Sequence, residues 1–87
     1  MYKVEFTKES VNQLKKFPVN IQKKILNKIE MLSKSENFFE ISNVRRLTGD
    51  LKEFYRLRVG DFRVVFKMKN DILIIIITIL PRGQAYK

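Results

Sequence analysis

Tyr55-Arg56-Leu57-Arg58-Val59-Gly60-Asp61-Phe62-Arg63-Val64-Val65-Phe66 reads as two strands of period-two side chains joined by a Gly-Asp pair, the pattern of a β-hairpin. A glycine in the first position suits a two-residue type II′ loop, whose twist matches that of the strands it joins. Such a loop pairs Val59 with Phe62, and therefore Arg58 with Arg63, Leu57 with Val64, Arg56 with Val65 and Tyr55 with Phe66. One face of the hairpin then carries Tyr55, Leu57, Val59, Phe62, Val64, Phe66 and Met68. The other carries Lys52, Arg56, Arg58, Arg63, Lys67 and Lys69, with Phe54 and Val65 between them and no acid. Like charges directly opposite on paired strands are destabilising, and a solvated face more usually intersperses both signs. The basic face is therefore a candidate anion-binding surface, against the alternative of a polar outer face with a bias of sign.

C-terminal to the hairpin, Ile72-Leu73-Ile74-Ile75-Ile76-Ile77-Thr78-Ile79-Leu80 supplies a third strand, completing an antiparallel meander over about residues 52–59, 62–69 and 72–80. Asn70-Asp71 reads as a second two-residue loop of type I′. In that register Leu73, Ile75, Ile77 and Ile79 extend the apolar face, while Ile72, Ile74 and Ile76 share the basic face and need a cover. The first strand, the 34–50 connection, the C-terminus and a docking partner are the alternatives. The apolar run falls short of the roughly 20 residues of a spanning helix, and its isoleucines favour strand.

N-terminal to the hairpin, Tyr2, Val4 and Phe6 alternate with Lys3 and Glu5, which predicts a short strand. Thr7 is a candidate helix N-cap, Val11, Leu14 and Phe17 follow at helical spacing, and Pro18 ends that helix and suits the start of the next. Ile21, Ile25, Ile29 and Leu32 mark a second amphipathic helix over about 19–33. Its lysines and those before it (Lys15, Lys16, Lys23, Lys24, Lys28) read as solvated flank. Residues 33–50 have no clean period and read as connection. The expected architecture is α+β: an N-terminal strand, a helical hairpin and a three-stranded antiparallel meander with the helices packed on one sheet face. It forms a single domain over residues 1–87.

The 87 residues hold neither cysteine nor histidine, which excludes disulfides, thiolate nucleophiles, imidazole bases and zinc sites of the usual ligands. No cofactor or metal is expected. Lys and Arg number 18 against 9 Asp and Glu, a formal net charge of +9 that calls for a polyanion or an acidic partner. The N-terminus has no apolar segment of the signal-peptide kind, so the expectation is a cytoplasmic protein without membrane contact.

The segment from Phe54 to Phe66, together with Arg82-Gly83-Gln84-Ala85-Tyr86-Lys87, resembles the RelE/ParE toxin superfamily, and the likeness spans nearly the whole chain. The resemblance implies a RelE-like fold and the toxin of a bacterial type II toxin–antitoxin pair, held in a hetero-oligomer by a cognate acidic antitoxin. RelE-like members cleave mRNA in the ribosomal A site, whereas ParE-like members inhibit DNA gyrase. By position, the resemblance carries the RelE-like catalytic surface onto Arg56, Arg58, Arg63, Arg82 and Tyr86. Some members have lysine at the positions of Arg56 and Arg58, and many have histidine where this chain has Pro81. Arginine stays protonated and is a poor general acid or base. Lys52, Lys67, Lys69 and Lys87 are further candidates for RNA contact, and Lys52 with Tyr86 for proton transfer. A metal-independent mRNA endoribonuclease is the leading expectation. A gyrase inhibitor and a non-catalytic RNA-binding module are the alternatives.

Overall fold

A computed structural model describes residues 1–41 and 43–81 of the chain. Strand β1 (Lys3–Phe6) leads into helix α1 (Lys8–Lys15) and helix α2 (Val19–Lys34). A short strand β2 (Val44–Arg46) follows, then β3 (Phe54–Val59), β4 (Phe62–Met68) and β5 (Leu73–Pro81). The strands form one sheet in the order β1-β5-β4-β3-β2. All neighbours are antiparallel except β1 and β5, which run parallel because both helices intervene between β1 and the meander.

The α+β architecture expected from the sequence is present, with two additions to the meander. β1 joins beside β5, and the 33–50 connection contributes β2 beside β3. The connection hid β2 because three residues are too short to display a period. Short helical turns at Phe38–Glu40 and Gly49–Leu51 bracket it. Strand β3 begins at Phe54, so Lys52 lies in a turn and not on the strand. Lys69 lies just beyond β4.

The core is the helix-facing side of the sheet. Ile25, Ile29 and Leu32 of α2 pack with Leu57, Val59, Val64, Phe66, Ile74, Ile76 and Ile79, and Phe38 and Val44 close one end. Thr7 caps α1 as its sequence position predicts, and Pro18 is the residue before the first turn of α2. The exposed Glu30–Lys34 ion pair on α2 (2.8 Å) adds little to stability; the hydrogen bond from Lys34 and its charge hold the Glu30 carboxyl below its usual range.

The hairpin register follows the expectation at every position: Val59 pairs with Phe62, Arg58 with Arg63, Leu57 with Val64, Arg56 with Val65 and Tyr55 with Phe66. Gly60 has φ +56°, and among the described residues none other than glycine has positive φ, so the turn takes the II′ pattern, with positive φ at its first position only.

The β4–β5 register departs from the expectation by one residue. Asn70 Oδ1 accepts from the backbone N–H of Ile72 (2.9 Å) and of Leu73 (3.1 Å), and the Lys69 N–H bonds to the Leu73 carbonyl (2.9 Å). The loop thus holds three residues, and Met68 pairs with Ile74, Lys67 with Ile75 and Phe66 with Ile76. A one-residue slip exchanges the two faces. Ile74 and Ile76 are buried in the core, while Leu73 and Ile75 stand on the outer face. The isoleucine run therefore leaves no continuous docking strip: Ile74 and Ile76 are covered by the helical layer, and Ile72 alone of the three is exposed.

A bulge at Ile77 then restores the original face, because Val65 pairs with Thr78 and Val64 with Ile79. Helix α1 holds this bulge. Thr7 Oγ1 donates to the Ile77 carbonyl (2.8 Å) while accepting from the Ser10 N–H (3.1 Å). Gln13 accepts from the Ile79 N–H (2.7 Å) and bonds the Thr78 hydroxyl, so the edge of β5 beyond β1 is satisfied by side chains. Replacing Thr7 by valine removes both bonds and is expected to cost about 1–3 kcal/mol, whereas Thr7→Ser should retain most of the stability. Urea unfolding of the two variants checks this.

Candidate nucleic-acid interface

Outward from the helices, the sheet presents rows of paired side chains. Arg58 and Arg63 face each other across β3 and β4, with Leu80 beyond Arg63 on β5. The next row reads Arg45, Arg56, Val65 and Thr78 across β2, β3, β4 and β5. The third reads Phe54, Lys67, Ile75 and Glu5. In a two-residue hairpin the second pair from the turn is a non-hydrogen-bonded one, with Cα atoms about 4.5 Å apart and side chains at their closest. That pair is Arg58 and Arg63.

Three of the sequence-predicted catalytic arginines, Arg56, Arg58 and Arg63, thus stand on one face. Among the described residues neither Arg56 nor Arg58 forms an ion pair. Arg56 is half-buried beside Val65, which is 5% exposed although it points away from the helices. The Arg56 Nε is buried and has no hydrogen-bond partner among the described residues. A buried donor left unpaired costs about 1–3 kcal/mol, a penalty that an anion accepting from this guanidinium would relieve.

The lysines divide. Lys67 lies on the same face as the arginines, opposite Phe54, and Lys69 borders it in the following loop; Glu53 lines the same shallow depression and tempers its charge. Lys52 is exposed in the turn before β3, with its carbonyl accepting from Arg46 Nε (2.9 Å). Glu5 is an acid on the outer face, at the far β1 edge. Arg82, Tyr86 and Lys87, the remaining candidates, lie outside the described residues.

Two basic residues on this face, Lys3 opposite Leu73 at the β1 edge and Arg45 on β2, were absent from the sequence-predicted site. Arg45 is directly opposite Arg56, and only the pairing of β2 with β3 reveals it. Its neighbour Arg46 turns the other way, with its guanidinium carbon 5.9 Å from the Tyr55 ring centroid.

Comparison with known proteins gives a consistent picture. A family model described as the ParE toxin of the type II toxin–antitoxin system parDE matches residues 4–86. The putative toxin RelE1 of Methanocaldococcus jannaschii is 37% identical over 87 residues, which cover 99% of this chain and 96% of the relative. Toxin RelE3 of the same archaeon is 32% identical over 73 residues, covering 83% of this chain and 82% of the relative. The fold matches the archaeal RelE–RelB complex of Pyrococcus horikoshii OT3 with TM-score 0.76 at 30% identity, covering 97% of this chain and 98% of that one. These relatives are archaeal, so the likeness is not confined to bacterial toxins.

Arg58 and Arg63 place like charges directly opposite on paired strands, an arrangement that in general costs stability. Arg58→Thr removes a like-charge pair and is expected to leave stability unchanged or raise it by up to about 1 kcal/mol. Leu57→Ala, one residue away on the core side, should cost about 2–5 kcal/mol. Denaturant midpoints measured side by side test the contrast. An Arg58→Thr loss as large as that of Leu57→Ala would make the arginine structural.

Proposed function

We propose that this chain, which belongs to the ParE toxin family of type II toxin–antitoxin systems and so to the RelE/ParE superfamily, is a metal-independent endoribonuclease that cleaves mRNA on the ribosome. The observation that carries this reading is the gathering of Arg56, Arg58 and Arg63 on one face, with the buried Nε of Arg56 unpaired among the described residues. The 37% identity to a protein named a RelE toxin supports it as well.

In the proposed reaction the 2′-oxygen attacks the adjacent phosphorus and loses its proton, the P–O5′ bond breaks, and the departing 5′-oxygen takes up a proton. The products are a 2′,3′-cyclic phosphate and a 5′-hydroxyl. Charge grows on the phosphoryl oxygens in the transition state. Guanidinium forks match those oxygens, and donors fixed in advance by a sheet need no reorganisation as the charge develops. Arg56, Arg58 and Arg63 take this role, and Arg82 is assigned to it from the sequence resemblance alone. Proton transfer falls to Tyr86 or Lys52, because arginine holds its proton. Tyr86 also offers a ring on which a base adjoining the scissile bond can stack. With no histidine to move protons, alignment of mRNA by the ribosome supplies much of the rate, so naked RNA is a poor substrate.

An acidic antitoxin is the natural regulator. The net charge of +9 steers a negative partner to the basic face, where it competes with RNA for the same arginines. The toxin of the Pyrococcus horikoshii complex is bound to RelB, and a RelB-like protein is proposed as the partner here.

Cleavage of ribosome-programmed mRNA, with both new ends mapped, tests the proposal. Wild-type protein is expected to leave a 2′,3′-cyclic phosphate or its 3′-phosphate product. Arg56→Ala and Arg63→Ala are each expected to lower the rate about 10²–10³-fold, or about 2.7–4 kcal/mol of barrier. Intact mRNA with arrested DNA supercoiling would replace this reading with gyrase inhibition. RNA binding without cut ends would leave a binding module.

A further inference from the structure

We propose that Arg45 of β2 holds a second RNA phosphate, next to the scissile one, and so sets where along the strand the substrate is gripped. The inference rests on the ribonuclease reading and extends its binding surface to a residue outside the expected catalytic set.

Arg45 and Arg56 are register partners on adjacent antiparallel strands, so their side chains leave the sheet on the same side with Cβ atoms about 4.5–5.5 Å apart. Both carry permanent positive charge, and among the described residues neither has a carboxylate partner. Two guanidiniums placed opposite each other repel. An edge strand also tolerates a lone charge elsewhere at no such cost, as Arg46 demonstrates by stacking on Tyr55 and bonding the Lys52 carbonyl. Arg45 has neither of those anchors, and it is exposed.

Geometry separates its task from that of the hairpin arginines. Arg63 and Arg45 lie two strand spacings and one two-residue step apart, a diagonal of about 12 Å at standard sheet dimensions. That is wider than a single phosphate. The pair Arg58 and Arg63 can clasp one phosphodiester, with Arg56 between the two groups, while Arg45 reaches a neighbouring one toward the β2 edge. A ribose-phosphate backbone crossing β4, β3 and β2 in turn follows that diagonal. Arg45 therefore acts in binding and register, and the hairpin arginines act on the reacting phosphorus.

The test pairs binding with kinetics, using the full chain free of antitoxin. The probe is a single-stranded RNA of known cleavage site, made uncleavable by a 2′-deoxy sugar at that site for the binding measurement. Arg45→Ala is expected to weaken binding about tenfold and to reduce the slope of log K against log salt by about 0.7, the value for one lost contact on a single strand. On cleavable, ribosome-bound mRNA, KM should rise by a similar factor with kcat unchanged, and Arg45→Lys should recover most of the loss. Thermal unfolding should show Arg45→Ala at least as stable as wild type, since a repulsion has been removed. Unchanged binding and KM in a wild-type background that does cleave would overturn the inference alone. A fall in kcat equal to that of Arg56→Ala would overturn it too, by placing Arg45 at the scissile phosphate. Failure of wild type to cleave or bind any RNA would overturn the ribonuclease reading itself.

Discussion

A two-residue turn leaves the strands it joins no freedom of register. Gly60, at φ +56°, makes that turn between β3 and β4, and everything on the outer face follows from it. Lengthening the loop by one residue would carry Arg63 to the helix side and Val64 to solvent. The apolar side chains at 57, 59, 64 and 66 enforce the same choice from the opposite direction, since each buried one is worth about 1.5–3 kcal/mol. Turn chemistry and core burial thus agree, and the arginines are carried to one side as a consequence.

Stability and function pull against each other on this sheet. Its helix side is a close-packed apolar layer from α2, β3, β4 and β5. Its outer side gathers cations at positions where cross-strand neighbours repel, including the Arg58–Arg63 and Arg45–Arg56 pairs. The chain carries a formal excess of +9 and, among the described residues, the buried Arg56 Nε has no hydrogen-bond partner; in the proposed function the antitoxin and the RNA compete for that charge. Such competition would let one partner silence the other without any change of fold.

How far the sequence could be read depends on where its pattern carried information. In residues 55–66 alternation and turn residues point the same way, and every pairing emerges as expected. In residues 72–77 every side chain is isoleucine or leucine, so either face satisfies the core and the hydrophobic pattern is silent about register. The decision passed to Asn70, whose side chain closes a three-residue loop, and to Thr7, which stands 70 positions away from the bulge carbonyl it bonds. Neither effect is visible in a local window. Arg45 escaped for a related reason: a three-residue strand shows its face only when its partner is known. Of the candidate site, Arg56, Arg58, Arg63 and Lys67 were legible because they sit in the well-determined hairpin.

The most direct test exploits a chain that contains no cysteine. In the double variant Arg58→Cys/Arg63→Cys the two sulfurs fall on a non-hydrogen-bonded pair whose Cα separation, about 4.5 Å, lies within the range a disulfide accepts. Mild oxidation should close an intramolecular cross-link in this variant and not in Leu57→Cys/Arg63→Cys, where the side chains leave opposite faces. Cross-linking of the second variant in preference to the first would place the arginines on different sides of the sheet and leave the proposed RNA surface without a foundation.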